Sequence, residues 1–168
     1  MNYADIKYCD VANGLGIRVS VFVSGCTHHC KNCFNEVAWD FNYGSPFTEK
    51  EIEKIIGYLK PSYISGLTLL GGEPFEHTNQ AGLLPLVRKV KEIYPQKDIW
   101  CFTGYVWDRL PQVAGVTQEL LSLLEVLVDG PFVEARKNLR LRFRGSENQW
   151  LIHVPKSLAA GQVVLWDE

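Results

Sequence analysis

Residues 16–25 read GIRVSVFVSG, with Val19, Val21 and Val23 alternating against Ser20, Phe22 and Ser24. Alternation rich in β-branched residues predicts a largely buried strand, and it runs directly into a cysteine-bearing loop. The period then changes. In SPFTEKEIEKIIGYLKP, Ile52, Ile55, Ile56 and Leu59 recur at helical spacing behind Thr48 and Glu51, which stand at capping-box positions, and Pro61 marks the stop. YISGLTLLGGEP predicts a second apolar strand ending in paired glycines. NQAGLLPLVRKVKEIYP predicts a second helix, which tolerates Pro85 if it lies near the first turns. KDIWCFTGY, TQELLSLLE and VLVDGPF continue as strand, helix and strand.

Regular alternation of this kind predicts an α/β fold. Mostly parallel strands form a sheet with helices packed outside it, open or curled into a partial (βα) barrel. Ligands of such sheets bind beyond the carboxyl ends of the strands. Those ends here are SGC, LGGEP, FTGY and VDGPF, so they should share one rim with the cysteines. The character changes after VDGPF. EARKNLRLRFRGSENQ is dense in arginine, while QWLIHV and QVVLWDE read as strands. No linker sets this tail apart, so residues 1–168 are expected to form one domain, a core over about 1–150 with a short extension over 151–168.

Composition narrows the classes. The chain has 168 residues, 46% hydrophobic and 21% charged, with a formal net charge of −2. Nothing in that balance asks for a nucleic acid or a membrane surface as partner. No apolar run reaches the roughly 18 residues of a spanning helix, and MNYADIKYCD lacks the apolar stretch of a secretory signal, so a cytoplasmic location is expected. Five cysteines in a chain of this size, three of them clustered, suggest metal binding or catalysis rather than cross-linking. Cys9 and Cys101 stand apart and are expected to be buried, inert thiols.

The cluster is SGCTHHCKNCFN, in which Cys26, Cys30 and Cys33 follow a C-x3-C-x2-C spacing. Zinc would need a fourth ligand, and His28 or His29 could supply one only with a strained ring between two other ligands. As loop residues, the two histidines would be exposed or hydrogen-bonded to backbone. A [4Fe–4S] cluster takes thiolates, and three of them leave one iron open to another ligand. The glycines of LGGEPF permit close backbone approach, and Glu73 offers a carboxylate suited to an ammonium group. A tight turn carrying a solvent-facing glutamate is the plainer reading of the same residues.

Cys26, Cys30 and Cys33 followed by a Gly71-Gly72-Glu73-Pro74 strand end resemble the radical S-adenosylmethionine (SAM) superfamily. NGLGIR, FVSGC, CFNEVAWDFNYG, KDIWCFTGY, VLVDGPF and LRFRGSENQ narrow the resemblance to the group that activates anaerobic ribonucleoside-triphosphate reductases. It extends from about residue 2 to residue 150. The resemblance implies an oxidoreductase with one [4Fe–4S] cluster on Cys26, Cys30 and Cys33, and with SAM on the open iron. An electron passed through the cluster would cleave SAM to methionine and a 5′-deoxyadenosyl radical. That radical would take hydrogen from a backbone glycine of the reductase large subunit. A low-potential flavodoxin or ferredoxin would be the electron donor.

Residue by residue, the resemblance places Gly71, Gly72 and Glu73 at the methionyl ammonium. Asn32, Cys33 and Phe34 would lie at the adenine side, with Thr103 as a further SAM contact. It gives no catalytic side chain beyond cluster and SAM. Asp129 would orient a ligand or cap its own turn. Two departures bear on the adenine side: position 32 is Asn where the superfamily often has an aromatic residue, and Asn13-Gly14-Leu15-Gly16 lacks the usual proline. Small-molecule radical SAM enzymes such as 7-carboxy-7-deazaguanine synthase remain alternatives, as do an iron–sulfur electron carrier and a zinc-bearing interaction module. Arg140, Arg142 and Arg144 alternate with Leu139, Leu141 and Phe143, so they could line one strand face, either solvated or docking an acidic surface of the reductase.

Overall fold

The computed structural model describes residues 1–33 and 35–167. Seven strands make one sheet: β1 (Asn2–Asp10), β2 (Ile17–Val23), β3 (Ser45–Pro46), β4 (Ile64–Gly71), β5 (Asp98–Phe102), β6 (Val126–Asp129) and β7 (Trp150–His153). Their order is β3-β1-β2-β4-β5-β6-β7. The pairs β2–β4, β4–β5 and β5–β6 are parallel, while β1, β3 and β7 are antiparallel additions at the two edges. The first four strands read from the sequence are therefore the parallel middle of a mixed α/β sheet.

Helices α1 (Glu49–Tyr58), α2 (His77–Ile93), α3 (Thr117–Ser122) and α4 (Val154–Ala160) contribute to one hydrophobic core with the sheet. Val19, Val21 and Val23 of β2, Leu67 and Leu69 of β4, Ile99 and Cys101 of β5 and Leu127 of β6 supply the strand side. Ile55, Leu83, Leu86, Val87 and Val90 supply the helix side, all fully buried. The α1 start follows its capping pair: the Thr48 side chain accepts from the backbone, and the Glu51 carboxylate accepts from the Thr48 N–H at 2.7 Å. Pro85 lies deeper in α2 than its sequence position suggests, because the helix begins at His77. The missing proline donor is offset by the buried Leu83, Leu86 and Val87 around it.

The opposite sheet face is different. Register places Ser20 beside Thr68 and Trp100, and Phe22 beside Leu70. Arg18 on this face is fully buried, donating to Thr68 Oγ1 at 2.7 Å and to the Leu67 carbonyl at 2.9 Å. It also pairs with Asp98 at 2.7 Å and lies over the Trp100 ring. Trp100 packs edge-on against Phe143 and Trp166, which brings the arginine-rich segment and the C-terminal tail onto this face.

Three expectations need correction, and one strand carries no readable pattern. The N-terminal strand β1 escaped the pattern because irregularities between Tyr3 and Asp5 and between Lys7 and Asp10 break its alternation. Cys9 sits at the second irregularity with φ 61° and is exposed, so it is not a core thiol; Cys101 is buried as expected. Residues 139–143 are turn and bends, so Arg140, Arg142 and Arg144 do not share a strand face. The Asn138 side chain accepts from the Arg140 N–H at 2.9 Å, and Phe143 adopts φ 63°, both of which break an extended run. QWLIHV gives β7, whereas QVVLWDE contributes one bridge, Leu165 to Ile152, and α4 lies between them.

Candidate functional site

The carboxyl ends of β2, β4, β5 and β6 border one cavity of about 400 Å³. Cys26, Cys30 and Cys33 lie on its wall with Gly71, Gly72, Glu73 and Thr103. Phe22, Leu70, Phe102 and Val128 give it apolar surface, and Phe132, Phe143, Arg144 and Gln149 come from the segment after β6. The expected rim therefore forms.

Its scaffold is a backbone interlock between the cysteine loop and the end of β4. Gly72 N–H donates to the Val23 carbonyl at 2.7 Å, and Glu73 N–H to the Gly25 carbonyl at 2.8 Å. A Cβ at position 72 would stand 2.5 Å from the Gly25 oxygen and 2.8 Å from the Ala38 oxygen. The close approach that requires glycine there is thus between two chain segments, before any ligand is considered. Buried Asn79, in the first turn of α2, donates to the carbonyls of Ser24 and Glu73, each at 3.0 Å, and ties the same two segments.

Glu73 is 1% exposed, so it is not the solvent-facing glutamate of a simple turn. Its Oε1 accepts from His28 Nε2 at 2.7 Å and from the Gly104 N–H at 2.6 Å. Its Oε2 accepts from Thr103 Oγ1 at 2.8 Å and from the Phe75 N–H at 2.9 Å. A carboxylate offers about four acceptor positions, and here four donors take them. Glu73 therefore acts first as a hub joining the cysteine loop to the ends of β4 and β5.

The histidines follow from this. Burial alone would lower the His28 pKa, but the Glu73 carboxylate outweighs it and holds the imidazole above its ordinary value. His28 also meets Tyr105 edge-on at 4.5 Å. His29, at φ 50°, stacks on Trp39 with ring centres 4.3 Å apart. His28 is thus held by a side chain rather than by backbone, and both rings have partners away from a shared ion. The Glu76 carboxylate accepts from the N–H and hydroxyl of Thr27, a second clamp on the loop.

The three clustered cysteines are outside any disulfide. Burial pushes the Cys26 thiol up to about 11 and raises Cys30 as well. Among the described residues, no three His, Cys, Asp or Glu side chains stand close enough to share one metal ion. Three cysteine thiols on one cavity wall are the donor type that an iron–sulfur cluster takes, so the residues present fit one.

Other expected residues fall differently. Asn32 is exposed, at φ 58°, and outside the cavity lining; Asn35 lines it instead. Phe34 lies outside the described residues. Asp129 is buried and accepts from the N–H groups of Trp107 at 2.9 Å and Trp150 at 3.1 Å, tying the segment after β5 and the start of β7 to the end of β6. Burial pushes its pKa up, against those two donors. Arg140 and Arg142 are exposed, but Arg144 lines the cavity. Glu76, Asn79 and Gln149 carried no signal in a single sequence, since most of their partners are backbone groups and Thr27, which Glu76 binds, lies 49 residues away in the chain.

Comparison with known proteins bears on the family. Residues 12–152 match the family described as a 4Fe-4S single cluster domain. Curated relatives include the anaerobic ribonucleoside-triphosphate reductase-activating protein of Haemophilus influenzae, 43% identical over 91% of this chain and 97% of that protein. The protein of the same name from Pasteurella multocida is 42% identical over 89% and 95%. That from Escherichia coli K12 is 39% identical over 92% and 99%.

Proposed function

We propose, for a chain that belongs to the family of anaerobic ribonucleoside-triphosphate reductase-activating proteins, that it is a radical SAM activase of such a reductase. The observation that carries this reading is one cavity lined by Cys26, Cys30 and Cys33 and by the Gly71-Gly72-Glu73 strand end. Its volume of about 400 Å³ suits a ligand the size of a nucleoside joined to an amino acid. Cys26, Cys30 and Cys33 would hold the [4Fe–4S] cluster. When bound, cluster and SAM supply a one-electron cleavage to methionine and a carbon radical that takes hydrogen from a glycine of the reductase.

The chain's own residues orient and enclose. Gly71 and Gly72 bring backbone close to the methionyl end, and Cys33 and Thr103 line the space beside it. Glu73, with its acceptor positions filled, meets the ammonium as a nearby negative charge rather than as a free hydrogen-bond acceptor. Phe22, Leu70, Phe102 and Val128 exclude water from a reactive intermediate. An iron–sulfur electron carrier has no use for such a cavity beside its thiols.

Exposed Arg140 and Arg142 suit docking to an acidic surface of the reductase large subunit, and the electron would come from a low-potential flavodoxin or ferredoxin. The test is anaerobic incubation of the loaded, reduced chain with SAM and the reductase. A glycyl radical signal in electron paramagnetic resonance is expected on the reductase. SAM consumption without that signal would leave a radical SAM enzyme of another substrate.

A further inference from the structure

We propose that the turn carrying Leu139 is the anchor by which this chain docks on its reductase, with the leucine entering an apolar pocket rimmed by acidic residues on that partner. The inference rests on the reductase reading above and concerns a surface outside the cavity. Leu139 is 88% exposed, the most open large hydrophobic side chain among the described residues. A single exposed leucine is ordinary on a protein surface and by itself marks no partner. Its setting is what sets this one apart.

The turn holds the side chain outward. Leu141 N–H donates to the Asn138 carbonyl at 3.2 Å, which closes a four-residue turn with Leu139 in its second position. The Asn138 side chain accepts from the Arg140 N–H at 2.9 Å and locks the same turn again. Beneath the turn, Lys137 bridges to Ser146. The N–H groups of Asn138 and Glu147 donate to the carbonyls of Gly145 at 3.2 Å and Arg136 at 2.9 Å. A tip fixed in this way has little freedom to lose on binding, so more of an apolar contact there survives as affinity.

Charge selects the partner. Residues 134–147 carry five cations against two carboxylates, Glu134 and Glu147, in a chain whose net charge is −2. The rest of the chain is therefore acidic, and the positive charge is concentrated on this one projection. Arg136, Lys137, Arg140 and Arg142, on either side of Leu139 in the chain, are all exposed. An apolar tip among cations is complementary to an apolar pocket with an acidic rim. The base of the projection fixes where such a partner sits. Phe143, Arg144 and Gly145 line the cavity, so a protein gripping the tip is held beside the cavity wall. A macromolecular substrate needs that placement, whereas an electron carrier needs only to approach the cysteine loop.

The test is anaerobic titration calorimetry of the cluster-loaded chain with the reductase, for wild type, Leu139→Ala, Leu139→Met and Arg140→Glu. Leu139→Ala is expected to raise the Kd about tenfold or more, with Leu139→Met within about threefold of wild type. The Leu139→Ala deficit is expected to persist at high salt, while that of Arg140→Glu shrinks. The melting midpoint of Leu139→Ala is expected to match wild type, because the side chain buries almost nothing within the chain. Reductase binding by Leu139→Ala as tight as wild type overturns the proposal. So does a deficit confined to the rate at which reduced flavodoxin loads the cluster, since the turn then serves the electron carrier. A wild-type chain that does not bind the reductase overturns the reductase reading itself.

Discussion

Glu73 accepts four hydrogen bonds from three parts of the chain, so its substitution tests whether it is a hub or a spare ligand. Glu73→Ala leaves buried donors unpaired and is expected to cost about 3–5 kcal/mol, read as a fall in the denaturation midpoint. Thr103→Val removes one of those donors and is expected to cost about 1–3 kcal/mol. Cys26 supplies a pH test. Since burial raises its thiol to about 11, the thiolate is scarce near neutrality and grows with pH up to that value. Alkylation of Cys26 in the cluster-free chain is therefore expected to rise about tenfold per pH unit between about pH 7.5 and 9.5, measured by mass spectrometry of the labelled peptide. At this scale the sequence displayed the thiols, the glycines and Glu73 by their spacing. It did not display what Glu73 touches, because Gly104 and Phe75 contribute backbone N–H groups that any residue would supply.

At the scale of elements, the parallel middle of the sheet was legible because both its faces are buried and its strands read as apolar runs. The edges were legible only in part. QWLIHV reads as a strand and gives β7, but β1 is broken by two irregularities, and the arginine tract alternates like a strand while Asn138 and Phe143 turn it. The cysteine loop and β4 behave as one element, locked through Gly72. Gly72→Ala places a methyl group against the Gly25 and Ala38 oxygens and is expected to cost about 1–3 kcal/mol. A lower iron content per chain after reconstitution should accompany that loss. Leu86→Ala, in the helix layer and remote from the loop, should cost about 2–5 kcal/mol with iron content per folded chain unchanged. The pair separates global stability from integrity of the loop.

For the whole molecule, the sheet divides the labour. One face binds the helices and carries the core; the other holds the Arg18 brace, the Trp100–Phe143–Trp166 cluster and, toward the strand ends, the cavity. In the proposed function, docking falls to the exposed Arg140 and Arg142. Arg140→Glu is expected to raise the KM for the reductase about threefold to tenfold, less at high salt, with SAM cleavage in the absence of reductase unchanged. The central claim, that three thiols and a glycine-rich strand end make a site for reductive SAM cleavage, has a direct measurement. The chain is reconstituted with iron and sulfide under anaerobic conditions, reduced, and given SAM. 5′-Deoxyadenosine and methionine are expected in equal amounts, and Cys30→Ala is expected to abolish both. A fully loaded cluster that forms no 5′-deoxyadenosine, or a Cys30→Ala chain that forms as much as wild type, contradicts the account.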